Sequence, residues 1–524
     1  MLSSPPKPRV RVSAQTIVLG FAVACSIGFL ISVPISWFHE ELGAFRTFEI
    51  AISGVTFVTL VWPTKRLSPG SLRVVLPRWA RILFWGSALV YLLAATLSRY
   101  ASFEVNGFDF SIFDWMLEST LRGRFMFTPI YGVNHFSVHP SYVMVPLVAL
   151  HALCRSPITL LVFGALLVWA AGIPLWQLAM ALTHEEGLAL FAVVALWGNP
   201  WTAPLILDGF RIESFYPLAS LLLLSGWVRR RSWTFWAGAI LLLATKEDAA
   251  LYLIGFSIAA ACFDRRSLLT PIVLLVTSIG VLFLDLKVVQ PLAGGGRGPG
   301  YVKFWSGYGA SLSEIVFTSL KRPWSVLRDV ANSGWYRFFG PALLLPLLNP
   351  RSLLTLLPGI LMLGLASYPA MHRYHAYYAV PFVAFSLWGI LAFSAGKATV
   401  SVGKLRYRAS IVALLIFPII GAGYVRTPMP HWQALRGTDE AAKQLAGFEG
   451  PVCAQGSLFP HLPYDLDPVP LGPDCLERDH ATALIGTGEN PWPYTEDQLH
   501  QWIDKARSKG KARLLSGGVY LLLP

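Results

Sequence analysis

The chain has 524 residues, 54% hydrophobic and only 14% charged, with 19 Trp and a formal net charge of +13. A mean hydropathy of +0.54 excludes an ordinary soluble domain and indicates a polytopic membrane protein. The positive charge does not indicate a nucleic-acid partner, because Lys and Arg lie in short loops between apolar runs rather than on one amphipathic face.

A helix needs about 20 apolar residues to cross the hydrocarbon core, and backbone groups in lipid must bond internally, so the apolar runs between residues 15 and 424 are expected to be helices. "PPKPRVRV" leads into the first run, 15–35, with no small-residue cleavage site after it, and the run reads as a retained span. Basic residues in short loops are held on the cytoplasmic side. Lys7, Arg9 and Arg11 therefore put the N-terminus inside. A second span, 47–62, returns to a basic loop carrying Lys65, Arg66, Arg73, Arg78 and Arg81, and a third, 82–98, exits. The stretch "GFDFSIFDWMLEST", 107–120, then begins on the extracytoplasmic face.

A fourth span, 139–153, is expected to end inside at Arg155, and "WVRRR", ending at Arg231, is also inside. "DGFRIE", 208–213, must then be outside, which asks for three passes between 157 and 207; the break "GNP" at 198–200 splits the second apolar run into two half-helices. By the same reasoning "LLLATKEDAALYL" forms two short passes with Lys246, Glu247 and Asp248 at their outer apex. A single buried helix would put three charges into hydrocarbon at about 2.5–3.5 kcal/mol each. Span 267–286 exits into an outer loop, 287–337, that opens with "GGGRGPG", although Lys321, Arg322 and Arg328 fit the inner side better. Arg351 is inside, "MHRYHAYY" outside, Lys397, Lys404, Arg406 and Arg408 inside, and a last span, 409–424, delivers the C-terminus outside.

From Arg426 onward the composition changes. Strand-like pieces ("PVCAQ", "ATALIG", "GVYLLLP") alternate with helical ones ("DEAAKQLAGF", "TEDQLHQWIDKAR"), as in a small α/β domain. Cys453 and Cys475 fall there, and a disulfide and two free thiols are both open. The expected fold class is an all-α polytopic membrane protein of about 13–15 helical passes, some short or broken, with a small extracytoplasmic α/β domain. Its parts are 1–79 (tail, two extra spans and basic loop), 80–425 (transmembrane module with outer loops 99–138 and 287–337) and 426–524.

The functional signal is convergence. Asp109, Asp114 and Glu118, then Asp208, Arg211 and Glu213, then Lys246, Glu247 and Asp248, then His372, Arg373 and His375 all fall on one side of the bilayer. Phe110, Phe113, Leu117 and Leu121 recur at helical spacing, so 110–121 reads as an amphipathic helix in the interface, with Asp114, Glu118 and Arg122 as its wet stripe. Either Ser111 and Asp114 form a capping box or Asp109 is the N-cap. His135 and His139 have the i, i+4 spacing of a metal pair but lack the glutamate of HExxH and are followed by Pro140; interfacial or helix-entry histidines are the plainer reading. "HRYHAYY" has the composition of an aromatic belt, and "KED" that of a self-satisfied ion cluster. No GxSxG, CxxC or nucleotide fingerprint occurs.

The segments "GFDFSIFDWMLESTLRGRF", "NHFSVHPSYVMVPLVALHAL", "GFRIESFYPLASLLLL", "ATKEDAALYL" and "HRYHAYYAVPFVAF" resemble, in this order, a bacterial family of predicted membrane proteins of unknown function. That likeness covers about residues 80–520. The family in turn looks like the GT-C glycosyltransferases, which take a sugar from a polyprenyl-phosphate carrier on the outer side of the membrane. In those enzymes the first long outer loop begins with an acidic residue, and Asp109 stands at the matching position. The resemblance implies an inverting transferase in the bacterial inner membrane, with Asp109 as catalytic base and Lys246, Arg373, His375 and Arg211 on the donor phosphate. Glu213, Glu247, Asp248, His135 and His139 would hold sugar hydroxyls or orient those cations, or the acids would share a divalent ion such as Mg or Mn. The implied partners are the bilayer, a polyprenyl-phosphate sugar, and a glycan, lipid or protein acceptor. A transporter or flippase of a lipid-linked or anionic solute, or a non-catalytic scaffold, are the alternatives; a transporter would place its charges near mid-membrane.

Overall fold

The apolar runs form a helical bundle in a computed structural model that describes residues 14–38, 68–264, 268–295, 300–340, 342–372, 377–396, 399–422, 430–446, 448, 451–466, 468–477, 482–487, 491 and 494–523. The expected span 47–62, and Lys7, Arg9, Arg11, Lys65, Arg66 and Lys397, lie outside the described residues. The first helices are α1 (Ala14–Phe38), α2 (Arg78–Ala101), α3 (Gly107–Leu121), α4 (Met144–Leu153) and α5 (Pro157–Thr183). Next come α6 (Glu186–Trp197), α7 (Phe215–Arg229), α8 (Ser232–Leu243), α9 (Ala249–Phe263) and α10 (Leu269–Leu284), the last continuing through a π turn to Ala293. Two short helices, α11 (Leu312–Lys321) and α12 (Pro323–Asn332), precede α13 (Pro350–Gly364), α14 (Phe382–Ala395) and α15 (Val400–Ala422). Among the described residues, 78–101, 157–183 and 269–293 are long and apolar enough to cross a membrane, and the other apolar helices are shorter. An aromatic core holds the first of them together: Trp85 meets Trp169 and Trp197 edge-on at 5.8 and 5.2 Å.

Contacts define two ends of the bundle. At one end Glu185 accepts hydrogen bonds from the backbone of Gly70 and Leu72 and from the Tyr407 hydroxyl, while Glu186 accepts from Leu76 N and pairs with Arg81. Arg229 reaches Gln177 late in α5, and Arg351 donates to Phe263 O at the end of α9. Arg73 and the helix-end residues Arg78, Arg81, Arg229, Arg351, Lys404, Arg406 and Arg408 thus share this basic end. At the opposite end Arg99 donates to Leu207 O at 3.0 Å.

These contacts correct the expected passes. The run 139–153 does not cross: α4 has 10 residues, about 15 Å of helix, half the thickness of a hydrocarbon core. Arg155, just beyond α4, is bonded to Glu118 of α3, so both lie at the same end. The GNP break does not divide two passes either. From Glu186, at the basic end, to Leu207, beside Arg99, the chain covers the height of α2 once, as α6, a buried link and a single turn, Pro204–Leu207. One pass too many in each place left the expected side of 208–213 unchanged. The KED apex holds: α8 rises to residues 244–248 and α9 descends, each only 12 to 15 residues long.

The C-terminal region has α16 (Trp432–Leu445), α17 (Glu496–Arg507) and a five-stranded sheet made of β3 (Val452–Ala454), β4 (Val469–Pro470), β5 (Thr482–Gly486), β6 (Ala512–Leu514) and β7 (Val519–Leu522). Two-residue strands β1 (Phe127–Thr128) and β2 (Val133–Asn134) pair in the earlier loop. The sheet order is β4-β3-β5-β7-β6, with β3 parallel to β4 and β5, and β7 antiparallel to β5 and β6. Thr495 and Gln498 form a reciprocal capping box that starts α17. Cys453 and Cys475 are joined, resolving the open alternative as a disulfide within this domain.

The domain packs directly on α3. Trp115 meets Phe459 and Tyr464 edge-on at 5.6 and 5.1 Å, and Tyr100 donates to Pro460 O. A Cβ on Gly107 would lie 2.0 Å from Gly456 O, so backbone meets backbone at the first residue of α3. The expected wet stripe is therefore dry. Asp114 and Glu118 are fully buried, because one side of α3 faces the bundle and the other faces this domain.

Candidate functional site

Asn106, rather than Asp109 or Ser111, caps α3. Its side-chain oxygen accepts from Asp109 N at 3.2 Å, and its amide nitrogen donates back to Asp109 Oδ2 at 2.8 Å. The exchange fixes the carboxylate in the first turn, where the helix end favours negative charge. Arg211 Nη2 adds an ion pair to the same oxygen at 2.6 Å, leaving Oδ1 without a partner among the described residues. The Asp109 side chain keeps 22% of its surface accessible, against 5% for Arg211.

Arg211 stands in the link between α6 and α7 and is held from three sides. Its Nε donates to Asp208 Oδ2 at 3.2 Å, and its guanidinium lies 4.1 Å from the centre of the Tyr377 ring. Gly209, at φ +80, gives the turn between these charges, and a Cβ there would approach Phe110 of α3 to 3.1 Å. Glycine lets this link reach α3. Tyr131 is the other aromatic neighbour of the pair; burial and the Asp109 charge push its hydroxyl up to about 12.

Behind this pair is a drier set. Lys246 Nζ contacts Glu213 Oε1 at 3.1 Å, with both side chains nearly buried. Burial opposes the lysine charge, but Glu213, Asp248 and Glu247 hold its pKa well above the ordinary value. Glu213 is likewise burdened by burial, yet Lys246 and Arg211 outweigh it and hold the carboxyl below the usual range. Asp248 accepts from the Tyr216 hydroxyl. Glu247 is pushed up by burial to about 7, and its Oε1 lies 2.8 Å from His139 Nδ1. Burial lowers His139 to about 3, with Lys246 acting in the same direction, so the imidazole is neutral. Tyr301 stacks on that ring, 5.5 Å between centres and 11° between planes, and its hydroxyl meets Gln290.

His135 is 2% exposed and lies 6.0 Å from His139 between ring centres, edge-on to Phe113. Burial, His139 and Lys246 lower it to about 3. His135 is thus buried, whereas His139 keeps 24% of its side chain accessible. No group of three His, Cys, Asp or Glu side chains is placed to hold a metal ion among the described residues. Glu213 is engaged by Lys246, Glu247 by His139 and Asp248 by Tyr216, so this donor set does not fit the expected shared Mg or Mn site.

The structure thus brings Asp109, Arg211, Glu213, Lys246, Glu247, Asp248, His135 and His139 to one end of the bundle, in ion pairs, hydrogen bonds and ring contacts that link neighbouring segments. Arg373 and His375 lie outside the described residues; His372, next to them, contacts Leu363 O through Nε2 at 3.0 Å. Sequence reasoning passed over Asp208 as a partner of Arg211, and Tyr131, Tyr301 and Tyr377 as walls of the cluster. The tyrosines had a weak signal: Tyr377 stood in a run readable as an interfacial belt, and Tyr301 follows a glycine-rich connector.

The chain has no significant match among curated proteins. Among solved structures it is similar to a crystal structure of ArnT from Cupriavidus metallidurans bound to undecaprenyl phosphate, at 10% identity and a TM-score of 0.48, covering 85% of this chain and 98% of that one. The family model for the predicted membrane proteins designated DUF2079 matches residues 99–464, from the end of α2 to the tyrosine that meets Asp114, and the chain therefore belongs to that family.

Proposed function

We propose that this protein is a GT-C-type glycosyltransferase of the bacterial inner membrane that moves a sugar from a polyprenyl-phosphate donor to an acceptor hydroxyl. The observation that carries the reading is the placement of Asp109: a partly accessible carboxylate on the loop after α2, oriented through one oxygen by Asn106 and Arg211, beside the buried Lys246–Glu213 pair. The basic residues gather at the opposite end, which supports a cytoplasmic position for that end and an extracytoplasmic one for the site and the C-terminal domain beside it.

In this reading the acceptor hydroxyl attacks the anomeric carbon from the side opposite the phosphate, and Asp109 Oδ1 takes its proton. The bond from the anomeric carbon to the phosphate oxygen breaks, its electron pair leaves with the polyprenyl phosphate, and the configuration inverts. Arg211 and Lys246 supply positive charge for the growing negative charge, and the sequence offers Arg373 and His375 for the same task. Glu213 and Asp208 hold these cations in place between turnovers. The neutral groups His135 and His139, with Glu247 and Asp248, suit hydroxyls of the sugar better than a charged group. A transporter is less well supported, because these charges stand in links at helix ends rather than halfway along the helices.

The test is turnover of polyprenyl-phosphate sugars by the purified protein in lipid vesicles, compared with Asp109→Asn. General-base removal predicts a loss of about 10²–10⁴-fold. Equal turnover by both forms removes Asp109 from the mechanism, and no turnover of any donor by the native protein overturns the transferase reading.

A further inference from the structure

The segment 300–332 contains an unpartnered surface and a contact with the cluster. Tyr301 stacks on His139, Trp305 Nε1 donates to Met362 O at 2.8 Å, and Ser367 N donates to Phe304 O at 2.7 Å. The segment then forms α11 and α12, two helices of 10 residues each. α12 is packed on the bundle through Val330, whose Cγ2 would be 2.9 Å from a Cβ on Gly364, and is tied within the segment by Asp329, which accepts from the Tyr308 hydroxyl at 2.7 Å. These contacts hold the pair at the end of α13 that carries the charged cluster.

The other face of the pair is bare. Val316, Phe317 and Leu320 on α11, with Trp324 and Leu327 on α12, recur at i, i+3 and i+4 and are between 57% and 81% exposed. Lys321 and Arg322 stand at the corner between the helices, with the Lys321 ammonium 4.2 Å from the centre of the Phe317 ring. In water, five large apolar side chains on one edge would be an aggregation site. α10 and its continuation to Ala293 also expose large apolar side chains, Phe283, Val288 and Leu292. Apolar side chains on one edge with Lys, Arg and Trp at its margin are the pattern of a helix lying in the headgroup layer.

We propose that α11 and α12 form an interfacial anchor: their apolar edge enters the bilayer at the boundary of headgroups and acyl chains, with Lys321 and Arg322 on phospholipid phosphates. The assignment accounts for Lys321 and Arg322, basic residues that fitted an outer loop poorly in the sequence. Because Tyr301 of the same segment covers His139, it also places the charged cluster at headgroup depth. It does not depend on the transferase reading, since a transporter or scaffold would carry the same anchor.

The test is the depth of a fluorophore on full-length protein in vesicles of phosphatidylcholine with phosphatidylglycerol. Cys25, Cys154 and Cys262 are replaced by Ser, and an environment-sensitive label is placed at Leu320→Cys or, as a water-exposed control, at Lys509→Cys. Expected is a blue-shifted emission at 320 that loses most of its intensity to shallow spin-labelled lipid and little to aqueous iodide, with the reverse at 509. Iodide quenching at 320 equal to that at 509 overturns the anchor. Protection from both quenchers also overturns it, because protein rather than lipid then covers the edge. Changing Lys321 and Arg322 to Gln should abolish any gain in lipid quenching that phosphatidylglycerol gives over phosphatidylcholine alone. An unchanged gain removes the phosphate contacts from the proposal.

Discussion

Asp109 and Glu118 stand about two and a half turns apart on one helix, yet their surroundings differ. Asp109 keeps an accessible edge and one oxygen without a partner among the described residues, and its partner Arg211 is buried. Glu118 is fully buried while its partners Arg122 and Arg155 reach solvent, with His151 beside it. In the proposed transferase, the Asp109 oxygen not held by Asn106 and Arg211 is the one that would meet the acceptor hydroxyl. Glu118, surrounded by three bases, has no capacity left and serves to hold α3, α4 and the start of α5 together. What separates the two is which side of the contact faces water.

The sharpest way to break this contrast is to neutralise each acid in turn. Asp109→Asn should abolish most turnover, by about 10²–10⁴-fold, and lower thermal stability less than loss of Glu118 does, because Asp208 still pairs with the buried Arg211. Glu118→Ala should chiefly lower thermal stability; removing one member of a buried ion pair costs about 3–5 kcal/mol, and solvent access of the arginines puts the loss at the low end. Scanning fluorimetry on both variants, with turnover measured well below the melting temperature, reads the two effects apart. If Glu118→Ala melts normally but is inactive, its assignment as a purely structural group fails.

The sequence disclosed which stretches were charged and, correctly, that the KED turn lies at an apex, because three charges in hydrocarbon are too costly to be anything else. It also disclosed the strands and helices of the C-terminal domain, where alternation and capping residues act over a few positions. It could not disclose α4. A run such as 144–153 is equally apolar whether it faces lipid or is packed between protein helices, and only the bond from Arg155 to Glu118 shows that it turns back. The same holds for Asp114 and Glu118: periodicity found the correct helix face but assumed water opposite it, whereas Tyr464, 350 residues away, supplies the cover. Pairings such as Lys246 with Glu213 are long-range in the chain and leave no local trace.

Next in size is the disulfide. Cys453 and Cys475 close a loop of 22 residues in the domain that covers α3, and joining them contributes about 2–4 kcal/mol by restricting the unfolded chain. Replacing both by Ser should make residues 430–523 the first part lost to limited proteolysis, while the helical bundle resists as before. Equal protection of the domain with and without the bond would mean that its packing on α3 alone holds it.

The smallest effect is the most diagnostic of how the domain is seated. Asp114 is pushed up to about 7 by burial and by the nearby Glu118 charge, although the hydrogen bond from Tyr464 pulls the other way. A carboxyl whose folded pKa lies above its unfolded value binds a proton more tightly in the folded state, so its contribution is full below about pH 4 and is lost as pH rises through about 7. Domain stability should therefore fall between pH 5 and pH 8 in the native protein. Asp114→Asn should flatten that slope, because the amide carries no titrating proton. Tyr464→Phe removes the group that stabilises the anion, so it should cost about 1–3 kcal/mol at pH 8 and less at pH 5, steepening the slope. If Asp114→Asn keeps the native pH dependence, the proton sits elsewhere, and α3 is held to the domain by the packing of Trp115 on Phe459 and Tyr464 rather than by a charge-sensitive hydrogen bond.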